Sequence, residues 1–141
     1  MHFETTVEIH APHDQVWATL VEVERWPEWT ASMREVTALD GMPLARGSRV
    51  RVKQPRMPST VWDVTDLDTG ASFAWRSASP GVATVATHLV EETAKDTVTV
   101  TLGIDQSGPI APIVGLLTGS RSKRYVQMEA EGLKQRAERT A

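Results

Sequence analysis

Residues 3–29 read FETTVEIHAPHDQVWATLVEVERWPEW, and the hydrophobic period changes within them. In FETTVEI, Phe3, Thr5, Val7 and Ile9 fall on one side and Glu4, Thr6 and Glu8 on the other, the alternation of a half-buried strand. The spacing then becomes helical: Val16, Leu20 and Val23 share a side, with Trp17 and Val21 beside it. Pro12 suits the first helical turn, and Asp14 complements the positive helix N-terminus. Pro27 stops this helix or breaks it before a second short one. Around that proline sit Trp26 and Trp29, two of the chain's five tryptophans. Trp26 is expected to pack where the helix pair seals the open end of a sheet. Trp29, just before the next strand, is expected at the mouth of a cavity, where an indole offers a wide apolar face and one N–H donor.

Downstream, period-two segments follow one another between turn residues: SMREVTALDG, SRVRVKQ, STVWDVTDL, ASFAWRS, VATVATHLVEE and DTVTVTLGI. The cleanest alternations set Val50 and Val52 against Arg49, Arg51 and Lys53, and Val98, Val100, Leu102 and Ile104 against Thr97, Thr99 and Thr101. Strands with one wet face form an antiparallel sheet. From Pro109 the pattern is helical to the end, with Ile113, Leu117, Tyr125 and Met128 near one stripe. The predicted order is strand, helix pair, six strands, long helix. Only the last helix, about 40 Å long at 1.5 Å per residue, can cover the apolar face of such a sheet. A twisted sheet wrapped around one helix does not close tightly along its whole length, and the gap is a natural place for a small ligand.

Composition sets outer bounds. A chain of 141 residues with 40% hydrophobic and 23% charged residues and a net charge of −3 fits one domain spanning 1–141. No face is dominated by Lys and Arg, so no nucleic-acid partner is expected. The absence of cysteine excludes disulfides and thiolate metal sites and is compatible with the cytoplasm, the expected location. MHFETTVEIH has no apolar signal-peptide core. GPIAPIVGLLTG is too short to span a bilayer and runs into Arg121, Lys123 and Arg124, so no stable membrane insertion is expected. His2, His10, His13 and His88 are dispersed, and no metal or cofactor is expected; oligomeric state is not legible.

The whole chain resembles the START-like, helix-grip (SRPBCC) superfamily, and within it the polyketide cyclase/dehydrase and lipid-transport group. ETTVEIHAPHDQVWATLVEVERWPEW at the start carries the resemblance, with FAWRS in the middle and GLKQRAE at the end. The resemblance implies an α+β fold. A seven-stranded antiparallel sheet would grip a long C-terminal helix over a hydrophobic cavity, with two short helices after the first strand. It also implies a small hydrophobic ligand, of polyketide, lipid or sterol type.

Strand alternation places Trp62 with Val64, and Phe73 with Trp75, on the concave face, where core and cavity wall are one surface. Trp29, Met33, Val50, Val52, Trp62, Phe73, Trp75, Leu117 and Met128 are the candidate ligand contacts. His88 falls in step with Ala86 and Val90; facing inward it could move a proton near neutral pH, and facing outward it is structural. Arg121 and Tyr125, four apart on the last helix, could polarise a ligand carbonyl, or could sit at a sheet edge and in ordinary core. Gly115 and Gly119 read as relief for close helix–sheet approach or as room for ligand. Three functions fit: a binding or carrier protein needing only the cavity, a polyketide cyclase or dehydratase using Arg121, Tyr125 and His88, and an interaction protein with a collapsed cavity. Cavity-wall candidates outnumber catalytic ones, which favours binding.

Overall fold

A computed structural model describes residues 1–140. Strand β1 (His2–Ile9) leads to α1 (His13–Val21) and a 3₁₀ helix (Val23–Glu28). Six strands follow: β2 (Glu35–Ala38), β3 (Arg49–Lys53), β4 (Thr60–Asp68), β5 (Ser72–Ser79), β6 (Val82–Ala94) and β7 (Thr97–Ser107). The chain ends in α2 (Ala111–Thr140), which starts between Pro109 and Pro112 as the sequence predicts. The seven strands form one sheet in the order β1-β7-β6-β5-β4-β3-β2, every pair antiparallel. From β2 to β7 each strand pairs with its neighbour in sequence, whereas β1 returns from the far end of the chain to lie against β7, His2 opposite Asp105 and Ile9 opposite Val98. Register shifts at Val64/Asp66 in β4 and Glu92/Ala94 in β6 bend the sheet. This is the helix-grip architecture.

The period-two valines do what their spacing requires. Val50, Val52, Val98 and Val100 are buried on the concave face, while Arg49, Arg51 and most of the intervening polar residues reach solvent. Trp26 is almost fully buried at the end of the sheet, and its indole N–H donates to the Leu20 carbonyl at 2.9 Å. Its ring lies 5.4 Å from Trp75 and 5.6 Å from Trp29. The proline-broken segment therefore closes the end of the core, as expected for Trp26.

The buried stripe of α2 differs from the expected one. Gly119, Ser122, Val126, Ala130, Leu133 and Ala137 face the sheet, and Ile113 and Leu117 face outward. Small side chains let the helix axis come close to the sheet, and the bulkier residues of its first turns are left on the opposite side. The tightest approach is at Gly132, where an added Cβ would stand 2.2 Å from the Trp29 carbonyl oxygen. Gly115 and Gly119, by contrast, lie over the Met1 side chain at ordinary contact distance. Glycine is thus needed where α2 meets the 3₁₀ helix rather than along the GLLTG turn.

Candidate functional site

Between the sheet and the middle of α2 lies a cavity of about 60 Å³. Its sheet wall comprises Val52, Trp62, Trp75, Ala86, His88, Leu102 and Gly103; Ser122, Tyr125, Val126 and Glu129 of α2 close the other side. Antiparallel pairing explains why these sheet residues meet. Val64 faces Trp75, Trp75 faces Ala86 and Phe73 faces His88 across successive strands, so one concave row carries the rings. Trp62 and Trp75 lie 5.8 Å apart. Gly103 contributes only backbone to this wall; a Cβ there would point to the outer face of the sheet and meet Thr87 Oγ1 at 2.6 Å. The volume holds a few water molecules, not a sterol or a polyketide.

His88 is held by its cross-strand neighbour. Its ring stacks on Phe73 with centroids 4.0 Å apart and planes 9° from parallel, and Nδ1 lies 3.1 Å from the Phe73 carbonyl oxygen. A carbonyl only accepts, so Nδ1 carries the proton and donates, leaving the Nε2 lone pair as a base or acceptor. Burial lowers the imidazole pKa to about 4, outweighing the Phe73 hydrogen bond that raises it. His88 is therefore neutral at pH 7.

Glu129 faces the same cavity from α2. Burial of its carboxyl pushes the pKa up to about 8, with no cation to oppose it. At neutral pH the group is a protonated carboxylic acid, a donor as well as an acceptor. One cavity wall thus carries a neutral base and the other a neutral acid, two groups whose environments have driven their pKa values past each other.

Tyr125 forms the rim. Its hydroxyl donates to the Pro55 carbonyl at 2.6 Å, tying α2 to the loop between β3 and β4. Beyond it opens an outer groove of about 450 Å³ lined by Pro55, Arg56, Arg121, Arg124, Tyr125 and Met128. Arg121 donates to the Arg56 carbonyl at 3.1 Å in that groove. Tyr125 is the wall common to the two spaces.

Of the residues singled out from sequence, His88, Tyr125, Met33, Val52, Trp62 and Trp75 come together around the inner cavity. Arg121 and Met128 lie in the outer groove. Val50 and Phe73 are buried in the core, Phe73 beneath the His88 ring. Trp29 packs on Trp26 and against α2 near Gly132, away from the cavity. Leu117 is exposed on the outer face of α2. Sequence reading missed Glu129 and Ser122. Their signal is the spacing Ser122, Val126, Glu129, Leu133, a helical stripe in which one acid occupies an apolar position. Among the described residues no cluster of His, Asp and Glu suits a metal ion, and no helix is long and apolar enough to cross a membrane.

An α+β fold whose seven-stranded sheet grips one long helix over an aromatic-walled cavity defines a helix-grip protein with a candidate small-molecule site. Residues 1–138 match the polyketide cyclase / dehydrase and lipid transport family, and the chain belongs to that family. Solved structures with the same fold include the hypothetical protein jhp0584 from Helicobacter pylori (17% identity, TM-score 0.83, 97% of this chain and 88% of that one). The Zhui aromatase/cyclase from Streptomyces sp. R1128 aligns with 20% identity and a TM-score of 0.79 over 99% of this chain and 94% of that one. A START superfamily protein from Mycobacterium smegmatis gives 16% identity and a TM-score of 0.76 over 99% of both chains. At such identities the likeness shows the fold alone. No curated protein matches the chain.

Proposed function

We propose that the protein binds a small, mostly apolar molecule bearing a carbonyl or hydroxyl oxygen between the sheet and α2. The observation that carries this reading is an apolar, aromatic wall combined with two neutral hydrogen-bonding groups in one cavity, Glu129 as donor and His88 Nε2 as acceptor. Each bond to a ligand contributes about 1 kcal/mol net. A polyketide-, lipid- or sterol-like molecule exceeds the resting volume. Room for it would have to come from the outer groove, which Tyr125, tied to the Pro55 carbonyl, separates from the inner cavity. The test is a titration with 1-naphthol and with naphthalene, followed by tryptophan emission from the Trp62–Trp75 wall. Naphthol should bind about fivefold or more tighter, consistent with one net hydrogen bond, and Glu129→Leu should abolish the difference. Equal affinity for the two probes, or emission that neither changes, would overturn the reading.

The same two groups favour a second reading, a cyclase or dehydratase. With a β-hydroxy ketone in the cavity, His88 Nε2 takes the α-proton, the Glu129 carboxyl protonates the departing hydroxyl, and water leaves as the C=C bond forms. Return of the proton from imidazolium to carboxylate regenerates both groups. Tyr125, released from Pro55, would be a further donor to the ketone oxygen, and Arg121 would act from the groove. Glu129→Gln should lower turnover of such a ketone, read as enone absorbance, by at least tenfold, about 1.4 kcal/mol in the barrier. Wild-type protein that binds the ketone and leaves it unchanged assigns the site to binding alone.

A further inference from the structure

The strongest feature outside the cavity is the outer face of the beginning of α2. Ile113, Leu116 and Leu117 are 58%, 86% and 74% exposed, and Ile110 stands beside them. Single exposed leucines are common, but four large apolar side chains within eight residues form a patch. Charge is segregated at the same place. The chain has 18 acidic and 15 basic residues, yet residues 106–128 contain no Asp or Glu. They contain Arg121, Lys123 and Arg124, and Arg56 from the β3–β4 loop joins Arg121 and Arg124 around the outer groove. Among the described residues none of these four cations is in an ion pair. Arg121 and Arg124 follow Leu117 by four and seven residues, about 6 and 10 Å along the helix axis.

Apolar side chains at a helix tip, with cations one to two turns behind, match the depth profile of a bilayer interface: the first group enters the acyl boundary and the second meets the phosphates. We propose that this end of the molecule docks peripherally on an anionic lipid surface, the first turns of α2 dipping among the headgroups. A bilayer is favoured over a protein partner because these side chains project into solvent rather than lining a groove. Hydrocarbon receives such side chains without shape complementarity. Docking does not depend on what the cavity binds, although it places the Arg56–Arg121 groove at the lipid surface.

The experiment is flotation of the intact protein with phosphatidylcholine vesicles, with and without about one-third phosphatidylglycerol. Binding should require the anionic lipid and fall tenfold or more when salt is raised from about 0.05 to about 0.5 M. Ile113→Asp with Leu116→Asp should lose flotation at least tenfold while melting as the wild type does, because both positions are exposed. Should the paired aspartates lower the melting temperature, Leu116→Gln alone gives a graded loss on an intact fold. Lys123→Gln with Arg124→Gln should weaken flotation and flatten its salt dependence. A wild type that stays in solution with anionic vesicles, or a double aspartate variant that floats as well as the wild type, overturns the proposal. A dimer in sedimentation equilibrium that the aspartates disperse, without flotation, assigns the patch to a second copy and overturns it equally.

Discussion

Burial raises the Glu129 pKa from 4.5 to about 8 and lowers that of His88 from 6.5 to about 4, so the two groups give stability opposite dependences on pH. For Glu129 the folded value lies above the unfolded one. Its contribution is intact below pH 4.5 and is lost as pH rises toward 8, because the unfolded chain ionises first. For His88 the folded value lies below the unfolded one, so stability is intact above pH 6.5 and lost as pH falls through 4. Glu129→Gln keeps the shape and removes the titration. It should be more stable than wild type at pH 8, by an amount on the order of a few kcal/mol, with the gap closing toward pH 5. Urea midpoints across that range measure the gap, and a gap independent of pH would place the carboxyl in water. His88→Gln should remove the acid-side slope in the same series. The histidine stood out in sequence because strand alternation aligned it with Ala86 and Val90, but Val85 and Leu89 on the opposite face left its direction open. Glu129 was not, because Glu129 and Glu131 are both acids on one helix and only the direction of the buried stripe tells them apart.

That direction is an element-scale property, and here hydrophobic periodicity misleads. In α2 the apolar residues Ile113 and Leu117 advertise one face, whereas Gly119, Ser122, Ala130 and Ala137 occupy the other. A helix lodged against a concave sheet is buried by its small residues, and a scale of hydrophobicity gives small residues little weight. The strands carried no such ambiguity, since a period of two leaves only two faces and the charged residues name the wet one. The glycines of α2 test this account. Gly132→Ala sets a methyl against the Trp29 backbone and should cost about 1–3 kcal/mol, the range for overpacking in a tight core. Gly119→Ala meets only the Met1 sulfur at 3.4 Å, the end of a flexible side chain, and should stabilise by up to about 1 kcal/mol through helix propensity. Thermal unfolding of the two variants gives the signs directly; like signs would mean that α2 sits differently on the sheet.

At the scale of the whole molecule, α2 is the long cover of the concave face of the sheet, with α1 packed against β6 and β7 beside it. A chain ending near residue 109 should expose the valine rows of β3 and β7, bind hydrophobic dyes and lose its cooperative melt. A sharp transition in that fragment would mean that the sheet is stable uncovered. Fold and the order of elements along the chain were legible because each local pattern agreed with the rest, from the strand–helix–proline opening to the final helix. The cavity's volume was not, because it is what remains after side chains of both layers have packed. The pairing of β1 with β7 carries a further consequence, in time rather than in space. Strand β1 leaves the ribosome about a hundred residues ahead of β7, its partner among the described residues, and contacts so distant in sequence slow folding. Until Val98 and Val100 emerge to meet Ile9 and Val7, β1 waits with both edges unpaired, so the strand made before the other six is the one whose pairing must wait for the last of them.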